Sequence, residues 1–209
     1  MTENPAFAPP AADDALPNVL LIGDSISIGY TLAVRSLLQG RANVFRPAAN
    51  CGPTIRGLAQ LDDWLGDQSW SVIHFNFGLH DLKYIDDEGQ MADPPESGQQ
   101  HVPIGEYEDN LDRIVKRLRT TEAELIWCST TPVPAGSAGR LQGDGARYNV
   151  AAARVAAAHT LAVDDLYTFA LERLDSIQMP ANVHFSDEGS AELATQVVAS
   201  IQNVPPLRP

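Results

Sequence analysis

Residues 19–25 read Val19-Leu20-Leu21-Ile22-Gly23-Asp24-Ser25, an apolar run that ends in a small polar turn. An uninterrupted apolar run is typical of a strand that is buried on both faces of a parallel sheet. Glycine permits the tight turn that follows. In open α/β sheets, ligands bind beyond the carboxyl ends of the strands. Ser25 is therefore either the cap of the next helix, a common role for Ser and Asp, or a reactive hydroxyl at the sheet edge.

Strand-like apolar runs alternate with helical patterns along the rest of the chain. The predicted strands are Val19–Ile22, Val44–Phe45, Val72–Phe77, Leu125–Cys128 and Leu161–Val163. The predicted helices are Thr31–Leu38, Ile55–Leu65, Tyr107–Leu118, Tyr148–His159, Leu166–Leu174 and Ala191–Ile201. This alternation predicts a three-layer α/β sandwich whose five-stranded parallel sheet has the flavodoxin-like order 2-1-3-4-5.

Length and charge restrict the organisation and the partners. The 209 residues predict a flexible arm over residues 1–17, rich in Ala, Pro and acidic residues, followed by a single domain over residues 18–209. The net charge of −13 argues against nucleic acid or an anionic membrane as a partner. The chain has neither an apolar run of roughly 20 residues nor the basic and apolar regions of a secretory signal. We therefore expect a cytoplasmic protein. The alternative is a secreted protein whose signal has been removed. The sequence does not indicate the oligomeric state.

Two long loops interrupt the pattern after predicted strands. Residues 84–103 are acidic and residues 132–147 are rich in glycine and proline. Both should overhang the carboxyl edge of the sheet, as lids, specificity loops or disordered segments.

Polar, small and titratable residues gather where the predicted strands end. They form the blocks Gly23-Asp24-Ser25, Asn50-Cys51-Gly52, Asn76-Phe77-Gly78-Leu79-His80-Asp81 and Asn182-Val183-His184. Because a serine hydroxyl needs an adjacent base, and histidine has a suitable pKa, Ser25 and His184 are the leading catalytic candidates. We expect His74 to pack in the core, and His101 and His159 are weaker candidates.

These blocks resemble, in order and spacing, those of the SGNH or GDSL-type hydrolases, which include esterases, lipases and carbohydrate deacetylases on a flavodoxin-like sheet. The resemblance covers roughly residues 18–202. It implies that Ser25 is the nucleophile and also donates its backbone N–H to the oxyanion, that the backbone of Gly52 donates a second hydrogen bond, and that His184 is the base. Asp24, Asn76 and Gly78 are candidate substrate-binding residues.

The third block departs from the family pattern at His80, where the family has an oxyanion-binding asparagine. A histidine ring N–H can also donate to an oxyanion, so we place His80 in the oxyanion hole. The alternative is that His80 bonds within its loop and that Asn76 or backbone N–H groups serve instead.

The last block departs at Ala181, where the family has the aspartate of the triad. Three explanations stay open at this point. His184 is oriented by a backbone carbonyl in a Ser25–His184 dyad, or by another acid such as Asp187 or Asp24, or Ala181 is an engineered replacement.

Cofactor and metal chemistry have little support in the sequence. It has no His-x-x-x-His or Cys-x-x-Cys pair, and the acidic residues 86–88 lack the spacing of a calcium loop. We expect no cofactor and no metal. Cys128 is predicted to be buried, and nucleophilic chemistry at Cys51 is a minor alternative.

The sequence thus predicts a serine esterase that acts through an acyl-enzyme, with short acyl groups such as acetyl, on carbohydrate or another small molecule, as the favoured substrates. The alternatives are a catalytically impaired member that binds a sugar or acyl ligand, and a thioesterase or lactonase that uses the same residues.

Overall fold

A computed structural model describes residues 4–207 of the chain. Its main sheet contains the parallel strands β1 (Asn18–Ile22), β2 (Asn43–Phe45), β3 (Val72–Phe75), β6 (Glu124–Cys128) and β7 (Ala162–Asp164), in the order β2-β1-β3-β6-β7. The predicted order 2-1-3-4-5 is confirmed, since these are the first to fifth strands of this sheet in chain order. The crossovers bring every carboxyl end to one edge.

Helices cover both faces of the sheet. They are α1 (Ser25–Leu37), α2 (Thr54–Leu65), α3 (Ile104–Arg119), α4 (Asp144–Ala158), α5 (Leu166–Leu171), α6 (Leu174–Ile177) and α7 (Asp187–Gln202). Helix α1 packs on α7, while α2, α3 and α4 pack side by side in chain order. The strands between them are apolar and buried, for example Val19 to Ile22 at no more than 1% exposure. The three-layer α/β architecture is therefore confirmed, and no helix of residues 4–207 is long and apolar enough to cross a membrane.

Several details differ from the sequence-based elements; for example, α1, α4 and α7 begin six, four and four residues earlier than predicted. The predicted last-but-one helix, Leu166–Leu174, is two short helices, α5 and α6. The predicted strand Val72–Phe77 ends at Phe75, because Asn76 already begins the loop of the site. The acidic loop contains a small antiparallel pair, β4 (Tyr84–Ile85) and β5 (Gln99–Gln100), that the sequence pattern did not reveal.

The predicted arm packs on the domain over its described residues, 4–17. Ala6 is buried, and the ring of Phe7 lies 5.6 Å from the guanidinium carbon of Arg46. Further along, the amide N–H of Asp13 donates to Oδ1 of Asn43, a β2 residue, at 2.9 Å. The division at residue 17, and the flexibility of the arm, stay predictions.

Candidate active site

Ser25 is the first residue of α1, and its neighbour Asp24 caps that helix. Oδ1 of Asp24 accepts the amide N–H of Ile26 at 2.9 Å, as N-cap side chains do. Ser25 is therefore not the cap, and its hydroxyl is left to bond elsewhere. Its own amide N–H is one of the first four of the helix, which have no acceptor within the helix.

Buried Arg46 holds the turn that precedes Ser25. Its guanidinium donates to the carbonyl of Gly23 at 3.3 Å and to Oγ of Ser27 at 3.1 Å. The backbone before Ser25 and the side chain after it are thus tied to the residue that directly follows β2.

Ser25 and His184 meet although 159 positions separate them in sequence. Ser25 Oγ lies 2.9 Å from His184 Nε2. The other ring nitrogen, Nδ1, lies 2.8 Å from Oδ1 of Asn182. Ser25, His184 and Asn182 thus form a chain of hydrogen bonds at the carboxyl edge of the sheet.

The hydrogen bonds of Asn182 define the tautomer of His184. The backbone N–H of His184, which can only donate, lies 3.0 Å from the same Oδ1 atom of Asn182. An acceptor oxygen must therefore face the ring, so Nδ1 carries the hydrogen. In the neutral ring, Nε2 is then the acceptor of the Ser25 hydroxyl hydrogen, as a general base requires.

The loop that carries Asn182 and His184 is closed on itself and fastened to a second loop. The amide N–H of Met179 donates to the carbonyl of His184 at 2.9 Å, and that of Ser186 donates to the carbonyl of Ile177 at 3.0 Å. Buried Gln178 donates through Nε2 to the carbonyls of Pro132 and Val183 at 2.9 and 3.1 Å. These bonds hold His184 in register with the end of β6.

The acids that were considered as partners of His184 lie elsewhere. Asp187 is the exposed first residue of α7 and Asp24 is the cap of α1, and neither has a hydrogen bond to His184 in the part of the chain that the structure describes. Ala181 is exposed, with a φ angle of 51°.

Sequence reasoning missed Asn182, which is two residues from His184 where the family acid is three residues away. The signal that could have found it is the tendency of Asn side chains to bond the backbone two residues on.

The other two predicted oxyanion donors, Gly52 and His80, lie on the loops after β2 and β3. Gly52 has the positive φ angle of 65°, and its amide N–H donates to Oδ1 of Asn50 at 3.0 Å. This N–H is therefore already engaged, and an oxyanion would have to take the place of the Asn50 side chain.

The His80 ring has no hydrogen bond to any residue within 4–207, whereas its carbonyl accepts from Nδ1 of His101 at 3.1 Å. Burial lowers the pKa of His80, the nearby charge of Asp24 opposes this shift, and the positive charges of Arg140 and Lys83 add to it. The ring is therefore neutral at pH 7 and carries one N–H that can donate.

Two candidate substrate-binding residues have structural partners. The Asn76 amide donates through Nδ2 to the carbonyl of Cys128 at 2.8 Å and to Oγ1 of Thr130 at 3.3 Å, so it joins β3 to β6. A Cβ atom on Gly78 would lie 2.0 Å from Oγ1 of Thr130, so only glycine allows this close approach. Neither residue needs a substrate to account for its identity.

Asp81 connects the His80 loop to the Gly52 loop. Its Oδ1 accepts the backbone N–H of Thr54 at 2.8 Å and the hydroxyl of the same residue, and so caps α2, whose N-cap Pro53 has no capping side chain. Its second oxygen, Oδ2, is buried without a partner in the described part of the chain. Burial raises the pKa of Asp81 to about 7.

The cysteines are buried and unpaired with each other. Burial raises the pKa of Cys51 to about 11, which leaves little thiolate at neutral pH and argues against a nucleophilic role. Cys128 lies beside His74 and Asp164, and ligand atoms of the three are within 4.8 Å of one another. However, Nε2 of His74 already bonds Oδ2 of Asp164 at 2.9 Å, and Gln196 bonds Oδ1, so we describe the cluster as a buried hydrogen-bond network.

A serine hydroxyl bonded to a histidine, at the end of the first strand of a five-stranded parallel sheet, defines the class of α/β serine hydrolases. The model of the GDSL-like lipase/acylhydrolase family matches residues 21–191. The chain therefore belongs to this family, and it is a carboxylic ester hydrolase of the GDSL type.

Solved structures share the fold at low sequence identity. An acetyl xylan esterase, AlAXEase, matches with a TM-score of 0.71 and 14% identity, over 88% of this chain and 99% of that one. A lipase/acylhydrolase from Enterococcus faecalis matches with a TM-score of 0.72 and 20% identity, over 90% and 96%. An acetylxylan esterase from Geobacillus stearothermophilus matches with a TM-score of 0.71 and 19% identity, over 88% and 94%. No curated protein matches the sequence.

Proposed function

We propose that the protein hydrolyses esters with short acyl groups through an acyl-enzyme on Ser25, with His184 as general acid and base and Asn182 as the residue that orients His184. The observation that carries this proposal is the continuous set of hydrogen bonds from Ser25 Oγ through the His184 ring to Asn182. The Ser25–His184 separation of 2.9 Å lies within the reach needed for proton transfer.

In the first half of the reaction, Ser25 Oγ attacks the ester carbonyl while Nε2 of His184 takes the hydroxyl proton. His184 then gives this proton to the leaving alcohol, and the acyl group stays on Ser25. In the second half, His184 takes a proton from water while the water oxygen attacks the acyl-enzyme. His184 then returns this proton to Ser25 Oγ as the bond between Ser25 and the acyl group breaks and the acid is released.

Asn182 does the orienting work usually done by an acid, without its charge. Its oxygen holds Nδ1–H and thereby keeps Nε2 free to accept. Because an amide is neutral, it stabilises the imidazolium of the transition state less than a carboxylate would. We therefore expect a functional but slower base than in a Ser-His-Asp triad.

The oxyanion is stabilised by the backbone N–H of Ser25 and the neutral ring of His80. The backbone N–H of Gly52 contributes a third hydrogen bond when its bond to Oδ1 of Asn50 breaks. Each donor acts where charge develops, and the loss of one such donor costs roughly 100- to 1,000-fold in kcat.

The acyl and alcohol groups are proposed from the structural relatives. Two of the three are acetyl xylan esterases, which supports acetyl groups, and carbohydrate as the alcohol. A lactone or a thioester would meet the same residues, so a panel of matched substrates is needed to rank the three classes.

The direct test is the hydrolysis of p-nitrophenyl acetate by the wild-type protein, Ser25→Ala and His184→Ala. We expect both variants to lose at least about 1,000-fold in kcat/KM. Asp187→Asn is the matched control and should keep the wild-type rate. Equal rates for wild type and Ser25→Ala would contradict the esterase proposal. The alternative of a protein that binds sugar or acyl ligands without hydrolysing them would then remain.

A further inference from the structure

Cationic side chains converge beside His80 in a protein whose net charge is −13. Arg140 donates through Nε to the carbonyl of Leu79 at 2.9 Å, so its guanidinium lies against the residue that precedes His80. The backbone N–H of His101 donates to the carbonyl of Lys83 at 2.7 Å, and its ring donates to the carbonyl of His80. The Arg140 guanidinium and the backbone of Lys83 thus lie close to the His80 loop, and the positive charges of both residues act on the His80 ring.

The two permanent charges of this group are not compensated by contact. Neither Arg140 nor Lys83 forms an ion pair with a described carboxylate, and NH2 of Arg140 has no hydrogen bond within residues 4–207. The one carboxylate whose charge acts on both His80 and Arg140 is that of Asp24, which is buried and holds the N–H of Ile26.

The positive charges of Arg140 and Lys83 act on each other, and this affects the pKa of Lys83. Burial lowers the pKa of Lys83, and the charge of Arg140 lowers it further. Two half-buried cations that repel each other without a bound carboxylate are a cost to the folded state. An anion that binds between the two cations offsets this repulsion.

We propose that Arg140 and Lys83 form a subsite for a carboxylate carried by the ester substrate, beside the oxyanion hole at His80. Nε of Arg140 bonds the carbonyl of Leu79 and NH1 bonds that of Ala138 at 3.3 Å, which leaves NH2 and the second N–H of NH1. These N–H groups lie on one edge of the guanidinium and match the two oxygens of a carboxylate. In an acidic protein this local positive field also directs an anionic substrate to Ser25. The inference rests on the proposed esterase function and specifies its substrate class.

The test compares matched esters that differ only in charge. 4-Acetoxybenzoate and its methyl ester place the carboxylate, or its neutral replacement, on the alcohol side. Monomethyl succinate and methyl butyrate do the same on the acyl side, with an alcohol that the carboxylate of the substrate does not itself displace. The pair of esters with the larger ratio of kcat/KM for the anionic over the neutral member shows whether the acyl group or the alcohol reaches the subsite.

We expect Arg140→Gln to lower the ratio of kcat/KM for anionic over neutral ester by roughly 10- to 100-fold, mainly through KM. Lys83→Gln should act in the same direction, Arg140→Lys should restore part of the ratio, and Arg154→Gln, far from the site on α4, should leave it unchanged. A ratio that is the same in wild type and both Gln variants overturns the subsite.

A binding measurement separates this proposal from the esterase proposal. Calorimetric titration of Ser25→Ala with 4-acetoxybenzoate needs no turnover. Binding that disappears in Ser25→Ala/Arg140→Gln supports the subsite even if the wild-type protein hydrolyses no ester. Absence of binding to Ser25→Ala, together with hydrolysis of neutral esters by the wild type, removes the subsite and leaves the esterase.

Discussion

At the scale of single residues, Asn182 accounts for the absence of an acid at position 181. It accepts from both the backbone N–H and the ring Nδ1–H of His184, at 3.0 and 2.8 Å. The exposed methyl group of Ala181 has no part in this arrangement. In the proposed mechanism, the orienting role therefore belongs to Asn182, one residue further along the loop.

Removal of the Asn182 side chain should therefore impair catalysis without unfolding the protein. We expect Asn182→Ala to lower kcat by roughly 10- to 1,000-fold, because the His184 ring loses its tautomer and its orientation. Asn182→Asp should recover activity and move the acid limb of the pH–rate profile to higher pH, because a carboxylate favours the protonated ring. Profiles of kcat/KM from pH 5 to about 9 decide this.

The control for this prediction is Ala181→Asp. If Asn182 already orients His184, the new acid should change kcat by less than about threefold. A gain of orders of magnitude in Ala181→Asp, with no loss in Asn182→Ala, would contradict the role of Asn182.

His80 gives the second prediction at this scale. His80→Asn places an amide donor where the family has one and should stay within about tenfold of the wild-type kcat, whereas His80→Ala should lose roughly 100- to 1,000-fold. Steady-state kinetics with p-nitrophenyl acetate measure both. Equal activity of His80→Ala and wild type would place the oxyanion donors elsewhere.

At the scale of elements, Asp81 caps α2, and its titration makes the stability of the folded protein depend on pH. Between about pH 4, where the unfolded residue titrates, and about pH 7, the folded state holds a proton that the unfolded state has lost. The stability that this proton contributes is fully present below that range and is lost as the pH rises through it.

Asp81→Asn should remove this dependence. The free energy of unfolding of the variant, relative to wild type, should rise with pH across this window by at most about 1.4 kcal/mol per pH unit. Urea unfolding of both proteins at pH 4, 5, 6 and 7 provides the comparison. A difference that is constant with pH would contradict the raised pKa.

Gln178 gives the second prediction for an element, the loop that carries His184. Gln178→Ala leaves the carbonyls of Pro132 and Val183 without their donor. We expect a loss of about 1–3 kcal/mol in stability, together with a lower kcat, because His184 loses its fixed position. Gln178→Glu is a stringent comparison, because it keeps the shape but not the Nε2 donor. Unchanged kcat in both variants would show that the loop holds His184 without this contact.

At the scale of the whole molecule, the architecture was predictable because apolar strands and amphipathic helices alternate so regularly. The order of the sheet follows from that alternation and from the handedness of its crossovers. The small sheet of β4 and β5 was not predictable, because each strand is only two residues long and β5 consists of two glutamines.

The candidate site was predictable in its blocks but not in its contacts. Ser25 and His184 stand out as a nucleophile and a base in blocks of familiar spacing, and the structure places them within hydrogen-bond distance. The pairing of Asn182 with His184 depends on the turn between them. The engagement of Gly52 by Asn50, and the convergence of Arg140 with Lys83, depend on loop geometry that periodicity does not encode.

The central claim is that Ser25 carries the acyl group, and trapping of the intermediate tests it most directly. The protein is mixed with p-nitrophenyl acetate, quenched in acid within the first turnovers, digested and analysed by mass spectrometry. We predict an acetyl group on the peptide that contains Ser25, and its absence in Ser25→Ala. Hydrolysis that proceeds with acetyl on Cys51 or another residue, or unchanged hydrolysis in Ser25→Ala, would contradict the account.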